Sequence, residues 1–463
     1  MVTDETMVFS GPPFHVDLAA LDALHPIHYS RRLLIFRCTS PAQHDAQLSA
    51  LKTASKELVQ RCPILGGIVA PLPLEEGKDV EDPNWRTILP GDGMELVVKD
   101  LRHALPSFEE LQTEAFPVDK LPYSLLVPVP QDIGNDRPFA ACKLQYTAIE
   151  GGSILTWAMS HSVADGSGNN ELMRILAEET RLAQNHSKEG TSRNAAPGLS
   201  PTGLDRSVMR HITSDAPFRI EDHPGYIANA PDQPPPHPYE ASSAEVSVLL
   251  HIPASRVAQL KADAQQPHSA PISTHDAIGA LIWRSVILIR SRRSASAQSI
   301  PPSTEVKLFM PSDARRHLHI PDSYFGNAVY QLSASLSLGK LLSPTTGLQE
   351  AASAIRATIN AVTPEKVRSL LGRTNQDWVD WAFLDSYTTT GVPMGTDWTS
   401  FGLYEHDWGK AFGRVTRFRY PGDEGSTCIL PKLADGSAEV MVAVMENEVE
   451  VLKGEECFGR YLG

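Results

Sequence analysis

Between Ala42 and Val59 the apolar residues Leu48, Leu51, Leu58 and Val59 fall on one stripe at helical spacing, which predicts an amphipathic helix. The helix should stop before Cys62-Pro63, because proline cannot continue it, and Gly66-Gly67 follows a short apolar step. A different rhythm begins at Cys142. Cys142, Leu144, Tyr146 and Ala148 alternate with Lys143, Gln145 and Thr147, the two-residue period of a strand. Gly151-Gly152 then turns the chain into Ile154–Met159, whose apolar run predicts a second, more buried strand. Leu172, Ile175, Leu176 and Ala183 mark a helix of about four turns.

From about residue 187 to 243 the periodicity disappears. The chain becomes polar and Ser-rich, then crowds Pro231, Pro234, Pro235, Pro236 and Pro238 together, which forbids both helix and interior strand. Such a stretch predicts a long crossover or linker. Beyond it, Val246–Ile252 reads as a strand, and Ser273-Thr274 as the N-cap of an apolar helix ending near Arg290. Leu348, Ala351, Ala352, Ile355 and Ile359 predict another helix, and Val440–Val444 a late strand. Several strands do not alternate with helices, so the fold class is mixed α/β. The expected organisation is an N-terminal domain over 1–190, a crossover over 191–245 and a C-terminal domain over 246–463.

Composition agrees with two packed domains. The chain has 463 residues, roughly two to three times the usual domain size, with ordinary apolar and charged content. A net charge of -14 argues against a nucleic-acid partner, whose footprint is usually basic. The cysteines Cys38, Cys62, Cys142, Cys428 and Cys457 are odd in number and never spaced C-x-x-C, so they read as reduced thiols. Residues 1–14 lack a basic stretch followed by an apolar one, and the apolar stretch Ala277–Ile289 is too short to span a bilayer. A cytoplasmic, monomeric protein is the expectation.

Chemistry enters at His161. It follows directly on the predicted strand Ile154–Met159, four residues before Asp165, with Gly166, Ser167 and Gly168 behind it. A neutral imidazole there suits proton abstraction from an alcohol or amine. Spacing alone favours a histidine satisfied by hydrogen bonds beside a turn, since H-x-x-x-D is a common accident in a chain with 16 histidines. Metal binding finds no support: no H-E-x-x-H is present, and His25/His28 and His317/His319 lack further ligands nearby. Nor is a nucleophilic serine indicated, since no G-x-S-x-G occurs.

Five segments in order resemble the BAHD acyltransferase family, and within it the fungal branch that includes trichothecene 3-O-acetyltransferase. His161-Ser162-Val163-Ala164-Asp165-Gly166 matches its H-x-x-x-D-G hallmark. Tyr404 to Gly413, with Asp407-Trp408-Gly409 at its centre, is similar to the late D-F-G-W-G segment and departs from it after the first glycine. Leu58 to Gly67 looks like the helix ending in a Pro-Leu-x-Gly turn. Met310 to Arg316 with Tyr324-Phe325-Gly326-Asn327 resembles D-x-R…Y-F-G-N, and Thr396-Asp397-Trp398 the Ser/Thr-x-Trp before the Asp-x-Gly motif. The resemblance spans nearly the whole chain.

It implies two chloramphenicol-acetyltransferase-like domains with a central solvent channel. His161 would be the general base of an acyl-CoA-dependent O-acyltransferase, with acetyl-CoA the expected co-substrate and a hydroxylated secondary metabolite the acceptor. No bound metal or permanent cofactor is implied. Asp165 is expected to be structural, pairing with Arg315 rather than with the histidine. Thr396 and Trp398 are candidate oxyanion donors, while Gly166, Asn327, Asp407 and Gly409 belong to structural motifs. Arg290, Arg292 and Arg293 are candidates for the CoA 3′-phosphate, or simply a solvated helix end favoured by the macrodipole. Two other readings use the same scaffold: a condensation-domain-like enzyme, for which Ser160 stands where a second histidine is usual, and a catalytically altered binding protein.

Overall fold

The computed structural model describes residues 5–24, 28–71, 86–131, 133, 138–185, 205–214, 217–228, 245–294, 300–375, 379–381, 390–421 and 427–463. The chain divides into two compact units. The first comprises Met1–Ile212, His319–Ala328 and Phe401–Pro421; the second comprises Thr213–Leu318, Val329–Ser400 and Gly422–Gly463. The Tyr324–Asn327 and Asp407–Gly409 segments therefore group with the N-terminal part of the chain. Of the expected crossover 191–245, residues 191–204, 215–216 and 229–244 lie outside the described residues. Within the rest, Ser207–Arg210 is a turn of helix and Tyr226–Ala228 a short strand.

The first unit is organised by a six-stranded sheet. Its strands are β1 (Glu5–Phe9), β2 (Tyr29–Arg37), β3 (Met94–Asp100), β4 (Cys142–Ile149) and β5 (Gly152–Ser160), with the short strand Arg417–Arg419 added at one edge. The order is β1-β3-β4-β5-β2 followed by Arg417–Arg419. Only the β3–β4 pair is parallel. β5 lies between β4 and β2, and all nine of its residues are buried, as its apolar run predicts. The alternation read in β4 is less strict than expected, because Gln145 and Tyr146 are buried side by side. Gln145 is held there by donating Nε2 to Leu125 O and Thr147 Oγ1.

Two helices of this unit pack against each other: α1 (Pro41–Arg61) and α2 (Gly166–Ala183), the second starting just after His161. α1 opens with Ser40, whose Oγ accepts from Gln43 N, and with Pro41 in its first turn, where the missing N–H costs nothing. Its buried face runs through Gln47, Ala50, Leu51, Ala54, Ser55, Leu58 and Val59. Leu48, expected on that stripe, is only half-buried, and Gln47 takes the inward position. The reason is polar: Gln47 Nε2 donates to Ala411 O, and its Oε1 accepts from Tyr146 and Ser153. Arg417–Arg419 pairs antiparallel with Leu33–Ile35 of β2, and so brings the preceding loop, with Trp408, onto Phe36.

The second unit has its own sheets and core. β6 (Glu245–Ile252) pairs antiparallel with the late strand β9 (Ala438–Met445) over eight residues. β7 (Glu305–Asp313) and β8 (Val329–Ser337) form an antiparallel pair extended by Gly391–Pro393. Helix α3 (Thr274–Ser294) begins as its sequence predicts, with Ser273 Oγ accepting from Asp276 N. It packs along α4 (Gly347–Asn360), where the Arg356 guanidinium meets the fully buried Asp276 carboxylate at 2.5 Å. All five cysteines are free and buried. Among the described residues no helix is long and apolar enough to cross a membrane.

The ring of Phe36 is fully buried against Trp408 and Phe412, with centroids 5.4 and 4.9 Å away. Phe36→Ala should destabilise the first unit by about 3–5 kcal/mol, read as a lowered thermal midpoint; an unchanged midpoint would contradict this packing.

Candidate active site

β5 ends at Ser160, and the backbone then makes a tight turn in which Val163 N bonds Ser160 O at 3.0 Å. The turn presents His161 at the edge of the sheet, held by its own N–H to His28 O at 3.0 Å. Two residues after the turn, Asp165 becomes the N-cap of α2, its Oδ1 accepting from Gly168 N at 3.0 Å. Its other oxygen accepts from Ala328 N at 2.9 Å. One carboxylate thus starts the helix and fixes the end of the Tyr324–Asn327 segment. Gly168 allows that approach: a Cβ there would lie 2.2 Å from Phe325 O.

The ring of His161 is partly buried. Its Nδ1 lies 3.1 Å from Asn327 Oδ1, and Asn327 Nδ2 donates to the carbonyl of the same histidine at 2.8 Å. His28 stands beside it, ring centroids 4.9 Å apart and tilted by 36°. Burial pushes the His161 imidazole below its ordinary value, an effect that outweighs the opposing pull of Asp165 and is reinforced by Arg32. The ring is accordingly neutral at pH 7, with Nδ1 engaged by an amide.

Residues 6–457 match the model of the Transferase family. The chain belongs to that family, the BAHD acyltransferases. It is 24% identical to trichothecene 3-O-acetyltransferase TRI101 of Fusarium sporotrichioides, over 98% of this chain and 97% of that one. It is 31% identical to the enoyl-CoA isomerase/hydratase claC of Penicillium crustosum over 97% of its own length, but spans only 51% of that relative. The fold is that of F. graminearum TRI101 complexed with coenzyme A and deoxynivalenol, with a TM-score of 0.80 at 20% identity, covering 97% of this chain and 99% of the other. It is the mixed α/β fold with two chloramphenicol-acetyltransferase-like domains.

Within this acyltransferase the remaining candidates fall in two places. In the first unit, Asp407 Oδ1 caps its own loop by accepting from Gly409 N at 2.9 Å, and Gly409 adopts a φ of +82°, which favours glycine. Gln184 clasps the loop, donating to Trp408 O and accepting from Ala411 N, each at 2.7 Å. Trp408 is fully buried, whereas Asp407 is exposed. Asn327 comes to His161 itself, a role its sequence context did not signal.

In the second unit, Thr396 lies on a two-residue strand parallel to Cys428–Ile429, and Trp398 N donates to Ile429 O at 3.0 Å. Between them Asp397 accepts from His275 Nδ1 at 2.6 Å and from Thr399 N at 2.8 Å. Burial alone would raise the Asp397 carboxyl, but His275 and Thr399 hold it below its usual range. Arg315 is buried and donates Nη1 to Asp313 at 3.1 Å. Arg290 donates to Gly391 O, Arg292 pairs with Glu456 and Arg293 with Glu448. Among the described residues no group of three His, Cys, Asp or Glu side chains could hold a metal ion.

Following His161 by NMR should give a titration midpoint below the ordinary imidazole value of about 6.5. The unfolded chain then takes up this proton first, so the stability it contributes is complete above about pH 6.5 and declines as the pH falls below it. A midpoint at or above the ordinary value would show that burial does not govern this ring.

Proposed function

We propose that this protein transfers an acyl group, acetyl in the first instance, from acyl-CoA to a hydroxyl of a fungal-type secondary metabolite, with His161 as general base. The observation that carries the reading is a neutral His161 whose Nδ1 is engaged by Asn327, which gives the role of base to Nε2. In the proposed step Nε2 takes the hydroxyl proton as the oxygen attacks the thioester carbonyl. The tetrahedral intermediate collapses with cleavage of the C–S bond, and the leaving CoA sulfur receives the proton from the imidazolium. Transfer is direct within a ternary complex of enzyme, acyl-CoA and acceptor, so no acyl-enzyme forms. The name O-acetyltransferase borne by the TRI101 relative supports oxygen as acceptor and acetyl as the group moved.

Charge developing on the thioester oxygen needs a donor, and the Thr396 hydroxyl and Trp398 indole N–H are proposed for it. Asp165 is read as a positioning residue, with Arg315 as the partner that the family resemblance implies, rather than as a relay for the histidine. It caps α2 and holds Ala328, so its loss would misplace the base. For the CoA 3′-phosphate, Arg292 is the most suitable of the three arginines because it is exposed and its pairing with exposed Glu456 is weak. Arg290 is buried under a carbonyl and Arg293 is half-buried against Glu448, so both are already engaged. The acyltransferase is proposed to work as a cytoplasmic monomer without bound metal.

Product masses from a panel of hydroxylated metabolites with acetyl- and longer acyl-CoAs test the assignment. His161→Ala should lower kcat by about 10²–10⁴-fold, and retention of most acyl transfer would sink the general base. Hydration of an enoyl-CoA without acyl transfer to any acceptor would overturn the activity itself. Asp165→Asn removes the charge but keeps the shape. It should reduce kcat by roughly 10–10²-fold while leaving the KM for acyl-CoA unchanged; a large KM effect would instead place Asp165 at the CoA.

A further inference from the structure

His161 and Asn327 do not end the network. Asp22, at the N-terminal end of the chain, has no exposed surface, and N–H donors surround its carboxylate. Oδ1 accepts both from Asn327 Nδ2 at 2.8 Å and from Asn327 N at 2.9 Å. Oδ2 accepts from Ala19 N at 2.9 Å and faces Arg206 Nε at 3.6 Å. Arg206, itself fully buried, donates Nη2 to Val163 O at 2.6 Å, inside the turn that carries His161. Its guanidinium also lies over the rings of Tyr324 and Phe325. Gly326 makes room for it, since a Cβ there would meet Arg206 Nη1 at 1.6 Å. One buried ion pair thus touches the N-terminal segment, the His161 turn and the Tyr324–Asn327 segment.

The chemistry of the donors decides more than the position. An amide's two ends look alike in shape and differ only in what they can bond. Asn327 Nδ2 faces two acceptors that cannot donate, a carboxylate oxygen and the His161 carbonyl. Its orientation is therefore fixed, and the end turned to His161 Nδ1 must be the carbonyl oxygen. A carbonyl can only accept, so the nitrogen facing it has to carry the hydrogen. The proton of the neutral ring is then on Nδ1 and the lone pair on Nε2. A free neutral imidazole prefers the opposite tautomer, so the protein has to enforce this one.

We infer that Asp22, held by Arg206, is the positioning residue that sets the tautomer of His161 through the side-chain amide of Asn327. The inference rests on the reading of His161 as general base for its catalytic consequence, but not for the tautomer. Replacing Asp22 by Asn puts an N–H against an N–H at one end or the other of the new amide, since both of Asp22's oxygens accept from N–H groups. Asn327 Nδ2 then loses its charged acceptor and keeps the His161 carbonyl, so its amide is oriented less strongly and His161 can move its proton.

The test is the ¹⁵N spectrum of histidine-labelled protein above the His161 midpoint, with the signal assigned by comparison with His161→Ala. In the unsubstituted protein Nδ1 should be the protonated nitrogen; an Nε2–H tautomer would overturn the inference without any variant having to fold. Asp22→Asn, or Asp22→Ser should the first not fold, should shift the signal toward the Nε2–H form. Its kcat should fall on the order of 10²-fold with the KM for acyl-CoA held. A slowed variant that keeps the original tautomer would mean that Asp22 is merely structural and would overturn the proposal, as would a variant with unchanged kcat and tautomer. In the double variant with Asn327→Ala, loss of Asp22 should add nothing to the loss from Asn327→Ala, and additive losses would overturn it. If the unsubstituted protein transfers no acyl group, the proposed function fails while the tautomer measurement still decides this point.

Discussion

One side-chain amide holds both the backbone and the ring of the residue on which this site is built. Asn327 reaches His161 across 166 positions of sequence, donating to its carbonyl and accepting at its Nδ1. Neither bond is unusual alone. Together they remove the rotation and the translation that a histidine at a strand end would otherwise keep. Because the amide itself is oriented by acceptors that cannot donate, the constraint carries chemical direction as well as position.

The surrounding packing exists to keep that constraint in register. β5 is buried along its whole length, so the turn after it starts from a fixed point. Asp165 caps α2 and holds Ala328 N, joining the histidine's turn to the segment that supplies Asn327. Glycines appear where the two come closest: Gly168 lies under Phe325 O, and Gly326 lies beside the Arg206 guanidinium. Burial then does the electrostatic work, keeping the imidazole neutral against the pull of a nearby carboxylate. The position of the ring is set by several ordinary hydrogen bonds acting together.

The glutamines show a second use of buried polarity in the same unit. Gln47 and Gln184 hold the Trp408–Ala411 loop, and Gln43 shares the Ala411 carbonyl with Gln47. Trp408 supplies apolar area against Phe36, while the glutamines supply the bonds that fix the loop's backbone. Area alone would leave that loop several acceptable settings; hydrogen-bonded amides leave one.

Much of this was legible in the sequence. The helical stripe of α1, the apolar run of β5, the Ser273 cap of α3 and the late strand β9 all follow from local periodicity and capping, which depend on residues within a turn or two of each other. The H-x-x-x-D-G motif and the four other segments were enough to suggest the family that the whole-chain match then showed. What the sequence left open were the positions where a polar residue stands in an apolar setting. Gln47 displaced Leu48 from the buried stripe, and Gln145 broke the alternation of β4, because partners distant in sequence satisfied them. Asn327 likewise read as a structural motif residue, and the carboxylate that orients it gave no local signal at all. Periodicity records which side of an element faces inward. Which buried amide meets which histidine depends on contacts between segments far apart in the chain, 166 positions in this case, and only the tertiary structure decides those.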